Sequence, residues 1–137
     1  IQSAVGLGQL ENIDELLNRR IELANNYKKL IKSFSKINLP TVLDPKPNCQ
    51  HSFQTYIVYI EDRDRVMIEM RKKGIEVQIG SYSLHMHKAF NDNSQVEIRG
   101  DLKNSKWCFN HALALPLYND LTFELQEVII YELNSCL

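Results

Sequence analysis

Long apolar runs, paired cysteines, phosphate-binding glycine loops and a surplus of either charge are all missing from this 137-residue chain. Each absence removes a class of function. No stretch approaches the roughly 20 consecutive apolar residues that cross a bilayer as a helix, so no membrane partner is expected. The 16 basic and 17 acidic side chains leave a formal charge of −1. Without a global field to attract polyanions, no nucleic-acid partner is expected either. The three cysteines, Cys49, Cys108 and Cys136, show no CxxC spacing, which argues for reduced thiols in a cytoplasmic protein rather than a secreted disulfide framework. Gly6-Leu7-Gly8 lacks the third glycine and the preceding strand of a dinucleotide loop. The opening Ile1-Gln2-Ser3 has neither an initiator methionine nor the charged start of a signal peptide, and the chain is expected to begin within a longer protein.

What is present suits one globular domain over 1–137, with 44% hydrophobic and 24% charged residues, enough apolar material for a core. Leu16, Leu17, Ile21, Ala24, Tyr27, Ile31 and Phe34 follow helical spacing from Ile13, so a long amphipathic helix is expected there. Asn12 is its candidate cap, with Glu15 completing a capping box. Residues 1–10 form a separate helix or an extension, and Ala4 and Gly8 leave a small-residue face. Pro40 closes these leading helices, assigned to 1–36, and 41–48 reads as an irregular connector.

The remainder, 52–137, reads as a sheet region with helices. Residues 52–60 are rich in aromatic and β-branched side chains and predict a strand. Asp62 or Asp64 starts a helix with Val66, Met67 and Met70 inward, and Asp62-Arg63-Asp64-Arg65 reads as a solvated helix start. Gly74 after Arg71-Lys72-Lys73 is a C-terminal cap. Ile75, Val77 and Ile79 alternate with Glu76 and Gln78 as a strand, followed by a turn that delivers His85 and His87. Residues 91–94 form a loop. Residues 112–117, with Pro116 inside, predict a short edge strand. Thr122 caps a last helix whose buried stripe is Leu125, Val128, Ile129 and Leu133. The fold class is α+β, with a long leading helix and a small sheet.

Candidate chemistry is sparse. His85 and His87 on an extended segment would face the same way, and Cys108 and His111 could complete a zinc site, but the spacing is too weak to predict a metal. No cysteine sits in a nucleophile turn, and all three are read as small buried hydrophobes.

Five segments taken in order carry a family resemblance. They are Ile1-Gln2-Ser3-Ala4-Val5-Gly6-Leu7-Gly8-Gln9-Leu10; Arg19-Arg20 with Ala24-Asn25-Asn26-Tyr27; His51-Ser52-Phe53-Gln54-Thr55-Tyr56; Gly74-Ile75 with Gln78-Ile79-Gly80-Ser81-Tyr82-Ser83-Leu84-His85; and Ala114-Leu115-Pro116-Leu117. The chain thereby resembles the C-terminal part of the DegT/StrS-type aminotransferases, pyridoxal phosphate enzymes acting on nucleotide-linked keto sugars. The resemblance implies the small domain of the aspartate-aminotransferase-like fold, α/β by fold-class analogy, with a small, mostly antiparallel sheet and flanking helices. It implies a missing large domain that holds pyridoxal phosphate, a homodimeric parent, a nucleotide-sugar substrate, and glutamate or glutamine as amino donor.

None of the lysines here stands in the family's cofactor-lysine context, so no catalytic or cofactor-binding residue is assigned. No cofactor is expected on this chain alone. Tyr82 and His85 match the turn along the sugar-nucleotide entrance and are the substrate-side candidates, while His87 and Lys88 stand where glutamine and proline are common. Three other readings remain: an interaction module docking through its leading helix, a regulatory domain binding a small ligand at the 85–87 turn, and the equivalent domain of a sugar dehydratase relative.

Overall fold

The computed structural model describes residues 1–41, 49–92 and 94–137, and of Asn91 the backbone alone. The connector expected at 41–48 lies outside the described residues from 42 onward, as does residue 93 of the expected 91–94 loop. The leading segment is two helices, α1 (Gln2–Leu10) and α2 (Ile13–Ile31). The expected capping box is not formed: Asn12 precedes α2 with φ −113° and ψ 14°, and its side chain makes no capping bond. That backbone is already engaged by α1, since the Asn12 N–H donates to the Gln9 carbonyl. α2 buries Leu23, Ala24, Tyr27 and Ile31, the spacing of one helical face. It stops three residues before Phe34, which still packs on the core through a turn in which its N–H donates to the Ile31 carbonyl at 2.9 Å.

The sheet has three strands in the order β1-β3-β2, with β1 at Tyr56–Tyr59, β2 at Gln78–Ile79 and β3 at Ala112–Leu115. Both neighbours run antiparallel to β3, with Val58 and Ile79 both opposite Leu113, and Ile57 and Gln78 both opposite Ala114. The α+β expectation with a small antiparallel sheet therefore holds. The edge-strand assignment of 112–117 does not, because β3 is the central strand and all four of its residues are buried. Pro116 falls one residue beyond it, where a missing N–H breaks no ladder bond.

The flanking strands are shorter than their patterns. The extended run at 52–60 is broken at Phe53, whose φ is 46°, leaving Tyr56 and Val58 to face the core from β1. The 75–79 run shrinks to two residues because the end of α3 (Arg63–Lys72) takes the backbone groups a ladder would need. The Ile75 N–H donates to the Met70 carbonyl at 3.1 Å and the Gly74 N–H to Arg71 at 3.0 Å, a Schellman pair around Gly74 at φ 79°. The Arg71 guanidinium takes the Val77 carbonyl, with Nε at 3.0 Å and Nη2 at 2.8 Å.

The last helix, α6 (Phe123–Ser135), is capped by Thr122 as expected, the Leu125 N–H donating to its Oγ1 at 3.2 Å. Its buried stripe is rotated by one residue from expectation: Gln126, Ile129, Ile130 and Leu133 are inside, whereas Leu125 is 46% and Val128 51% exposed. Gln126 sets this rotation. Its Nε2 donates to the Leu23 carbonyl at 2.9 Å, and its Oε1 accepts from Asn26 Nδ2 at 2.9 Å, so an amide bonded at both ends takes a core position against α2. Leu23, Tyr27, Val58, Val66, Met70, Leu113, Ile130 and Leu133 form the centre of the core between the sheet, α2, α3 and α6.

Two glycines distinguish lack of space from backbone strain. A Cβ on Gly80 would lie 3.1 Å from Ala112 Cβ and 3.2 Å from Ile57 Cγ2, so Gly80→Ala is expected to cost about 1–3 kcal/mol by overpacking. Gly74→Ala meets nothing within 4 Å yet places an alanine in the left-handed region, at about 1–2 kcal/mol. Gly74→Asn should lose less than Gly74→Ala, and urea unfolding midpoints measure all three.

A pH dependence follows from Lys73 and Glu132, which join the end of α3 to α6 with Nζ 2.5 Å from Oε2. The hydrogen bond from Lys73 holds the Glu132 pKa below its usual 4.5, and the same bond raises Lys73 above 10.5. The carboxylate's contribution is complete above 4.5 and is lost as pH falls through the depressed folded value. The ammonium's is complete below 10.5 and is lost as pH rises through the raised one. Glu132→Gln should flatten the acid limb of a Tm-against-pH curve, and identical limbs would show that the pair contributes nothing.

Candidate functional site

The segment that carries both candidate residues leaves the sheet at Gly80, whose N–H donates to the Ala112 carbonyl at 2.9 Å while its α-carbon lies against Ala112 and Ile57. A single 3-10 turn then forms at Leu84–Met86, with the Met86 N–H donating to the Ser83 carbonyl at 3.1 Å. A short helix, α4 (Lys88–Asn91), follows. The turn corrects the extended geometry expected for 85–87 and separates the two histidines. His85 is half-buried with Nδ1 2.9 Å from Ser83 Oγ, and Ser83 is wholly buried and also 3.0 Å from Ser105 Oγ. His87 instead joins the aromatic rings: its ring centroid lies 6.1 Å from Tyr82 and 6.0 Å from Phe109.

Tyr82 is 63% exposed, with its ring 6.2 Å from Phe109. The structure thus brings Tyr82 to His87 and Phe109, and His85 to Ser83. Phe109, Ser105, Trp107 and His111 all belong to a helix that the sequence pattern did not reveal, α5 (Lys103–His111). The four-residue spacing of Trp107 and His111 was the available signal, and their rings do stack with centroids 4.6 Å apart.

Beneath Phe109 lies Arg63, which overturns the reading of residues 62–65 as a solvated helix start. Its residue exposure is 2%, its Nη2 donates to the Phe109 carbonyl at 2.7 Å, and its guanidinium carbon is 5.5 Å from the Phe109 ring centroid. Nε lies 2.9 Å from Asp64 Oδ1 but without hydrogen-bond geometry, and Nη1 has no partner among the described residues. The helical spacing of Arg63 with Val66 and Met70 placed it on the inward face. The preference of arginine for water masked that signal. Asp62 makes no capping bond and accepts from Arg65 Nε at 2.7 Å instead.

The other reactive side chains are dispersed. Cys108 Sγ lies 3.7 Å from the Tyr59 hydroxyl, whose pKa burial pushes up. His111 reaches the Trp107 carbonyl through Nδ1 at 2.8 Å and Glu61 through Nε2 at 3.3 Å. Among the described residues no group of three or more His, Cys, Asp or Glu is placed to hold a metal ion. Cys136 is buried and Cys108 half-buried, but Cys49 is exposed, so the expectation of three buried thiols fails there. An open groove of about 650 Å³ runs beside the end of β3, lined in part by Ile75, Leu117, Leu125 and Val128, with no lining residue from 80–87. On α1, Val5, Leu7 and Leu10 are exposed together with Ile1 and Ile13, the apolar surface expected of a helix whose covering is elsewhere.

The description of the DegT/DnrJ/EryC1/StrS aminotransferase family matches residues 1–134. An uncharacterized protein of Methanocaldococcus jannaschii is 24% identical in an alignment 128 positions long that covers 89% of this chain and 32% of that protein. The UDP-4-amino-4-deoxy-L-arabinose–oxoglutarate aminotransferase of Shewanella sediminis is 24% identical in an alignment 144 positions long that covers 98% of this chain and 37% of that protein. The structure of DesV from S. venezuelae, solved with a ketimine intermediate, superposes with a TM-score of 0.83 at 21% identity over 98% of this chain and 35% of that one. The chain spans about a third of the length of the relatives it matches.

Arg63→Ala is expected to destabilise by about 2–4 kcal/mol through the lost charge-assisted bond and the cavity. Arg63→Met, which keeps volume and removes an incompletely paired buried charge, should lose less. Urea unfolding orders the variants, and ring chemical shifts of His87 and Phe109 should move in both.

Proposed function

Since the chain belongs to the DegT/DnrJ/EryC1/StrS aminotransferase family, we propose that it is the C-terminal small domain of a pyridoxal phosphate-dependent aminotransferase acting on nucleotide-linked keto sugars. In this reading it supplies a substrate-side wall, with Tyr82 and His85 toward the sugar nucleotide, and part of a homodimer surface. A large domain carries the cofactor. Support comes from the family match along nearly the whole chain and from the aminotransferase names of the relatives above.

The observation that carries the division of labour is the state of the lysines. A lysine that forms an imine with the cofactor must give up its proton, which burial or a neighbouring cation promotes. Every lysine among the described residues is exposed, and the shift resolved at Lys73 is upward, because Glu132 holds its proton. None of these described lysines fits an imine-forming site, which supports the reading that the chain alone is inactive, and no chemical step is assigned to it. Its part is to bind and orient: a phenol and an imidazole on a short turn offer hydrogen bonds to hydroxyl and phosphate oxygens.

Incubating the chain with pyridoxal phosphate and then with borohydride should leave no adduct at a unique lysine, whereas the polypeptide extended upstream of Ile1 should acquire one. A stoichiometric, site-specific adduct on this chain would overturn the division of labour. An upstream segment with histidine at the cofactor position would point to the dehydratase relative instead.

A further inference from the structure

Ser83 is wholly buried, yet its hydroxyl has two neighbours, His85 Nδ1 at 2.9 Å and Ser105 Oγ at 3.0 Å. A hydroxyl owns one proton, so the direction of the chain follows whether Nδ1 carries a proton. With a neutral imidazole protonated on Nε2, Ser105 donates to Ser83 and Ser83 donates to Nδ1, whereas the Nδ1–H tautomer reverses both bonds. With a charged imidazole, Nδ1–H donates to Ser83, and Ser83 turns its proton toward Ser105. Ser105 lies at an exposed position on α5, where water can take up the change. Neither state leaves a buried polar group unpaired, which would otherwise cost about 1–3 kcal/mol.

The local fold makes this arrangement. Ser83 precedes the 3-10 turn in an extended conformation, φ −115° and ψ 102°, and its carbonyl closes the turn on Met86, bringing residue 85 back over residue 83. Nε2 of His85 has no partner among the described residues. We propose that Ser83, backed by Ser105, is a positioning residue that holds His85 by Nδ1 and presents Nε2 to a hydroxyl or phosphate oxygen of the sugar nucleotide. The ligand half rests on the substrate-side reading of His85 above. The positioning half stands on the geometry alone.

The test reads the His85 tautomer by ring nitrogen–proton correlation spectra of this chain at a pH where the imidazole is neutral. The wild type should carry its proton on Nε2. Ser83→Ala should shift the ratio toward the Nδ1–H form by about five- to tenfold, the scale of one net hydrogen bond. Ser105→Ala, at an exposed position, should shift it the same way by less. A wild-type proton on Nδ1, or an unchanged ratio in folded Ser83→Ala, overturns the proposal. If Ser83→Ala does not fold, Ser105→Ala decides by the same criterion. In the full-length enzyme, Ser83→Ala should raise KM for the sugar nucleotide about tenfold with a smaller change in kcat. A shifted tautomer with unchanged KM would reject the substrate-side role of His85 and leave the positioning role intact.

Discussion

The four residues of β3 constrain everything around them, because this strand is paired on both edges and buried along its whole length. Leu113 and Leu115 fill the core side, while Ala112 lies where Gly80 and Ile57 crowd together. The same strand receives the Gly80 N–H and so fixes where the 81–87 segment departs. Its predecessor α5 ends directly at His111, which places Ser105 and Phe109 against that segment. The position of the candidate wall is therefore a consequence of strand order.

A second set of restraints comes from α2, whose polar side chains satisfy carbonyls in irregular segments. Arg19 donates to Asn119 and Leu121, Arg20 to Phe53 and Gln54, and Tyr27 to Pro116. Carbonyls in such segments have no ladder to join, and leaving them unpaired in partial burial is unfavourable. Burial also pushes the Tyr27 phenol pKa up, so it remains a donor throughout the ordinary pH range. The residues that carried the family resemblance in α2 and near residues 51–56 and 116 thus meet one another in space. In this chain they build a frame of hydrogen bonds among irregular segments.

Patterns that depend on one element alone were legible in the sequence: the apolar face of α2, Gly74 as a helix end, and Thr122 as a cap. What escaped were features decided by competition between elements. The strand after Gly74 was shortened because Ile75 and Val77 spend their backbone groups on α3 and Arg71. The face of α6 turned by one residue because a paired glutamine is a better core residue than its type suggests. Arg63 looked solvated and is buried. At the site, a substrate-side role for His85 and Tyr82 was readable only through resemblance, and of their neighbours Ser105 and Phe109 come from across 20 or more residues in sequence.

Gln126 has a mechanical consequence beyond its pairing. Its amide uses both ends against α2, on Leu23 and Asn26, so sliding either helix by one turn breaks both bonds at once. α2 and α6 must consequently travel as one rigid body. The joint between α1 and α2 is held by backbone bonds at Asn12 alone, since its side chain makes no capping bond and α1 buries no side chain. Any force on α1 would therefore be borne by the backbone at Glu11 and Asn12, while the α2–α6 pair resists as a unit.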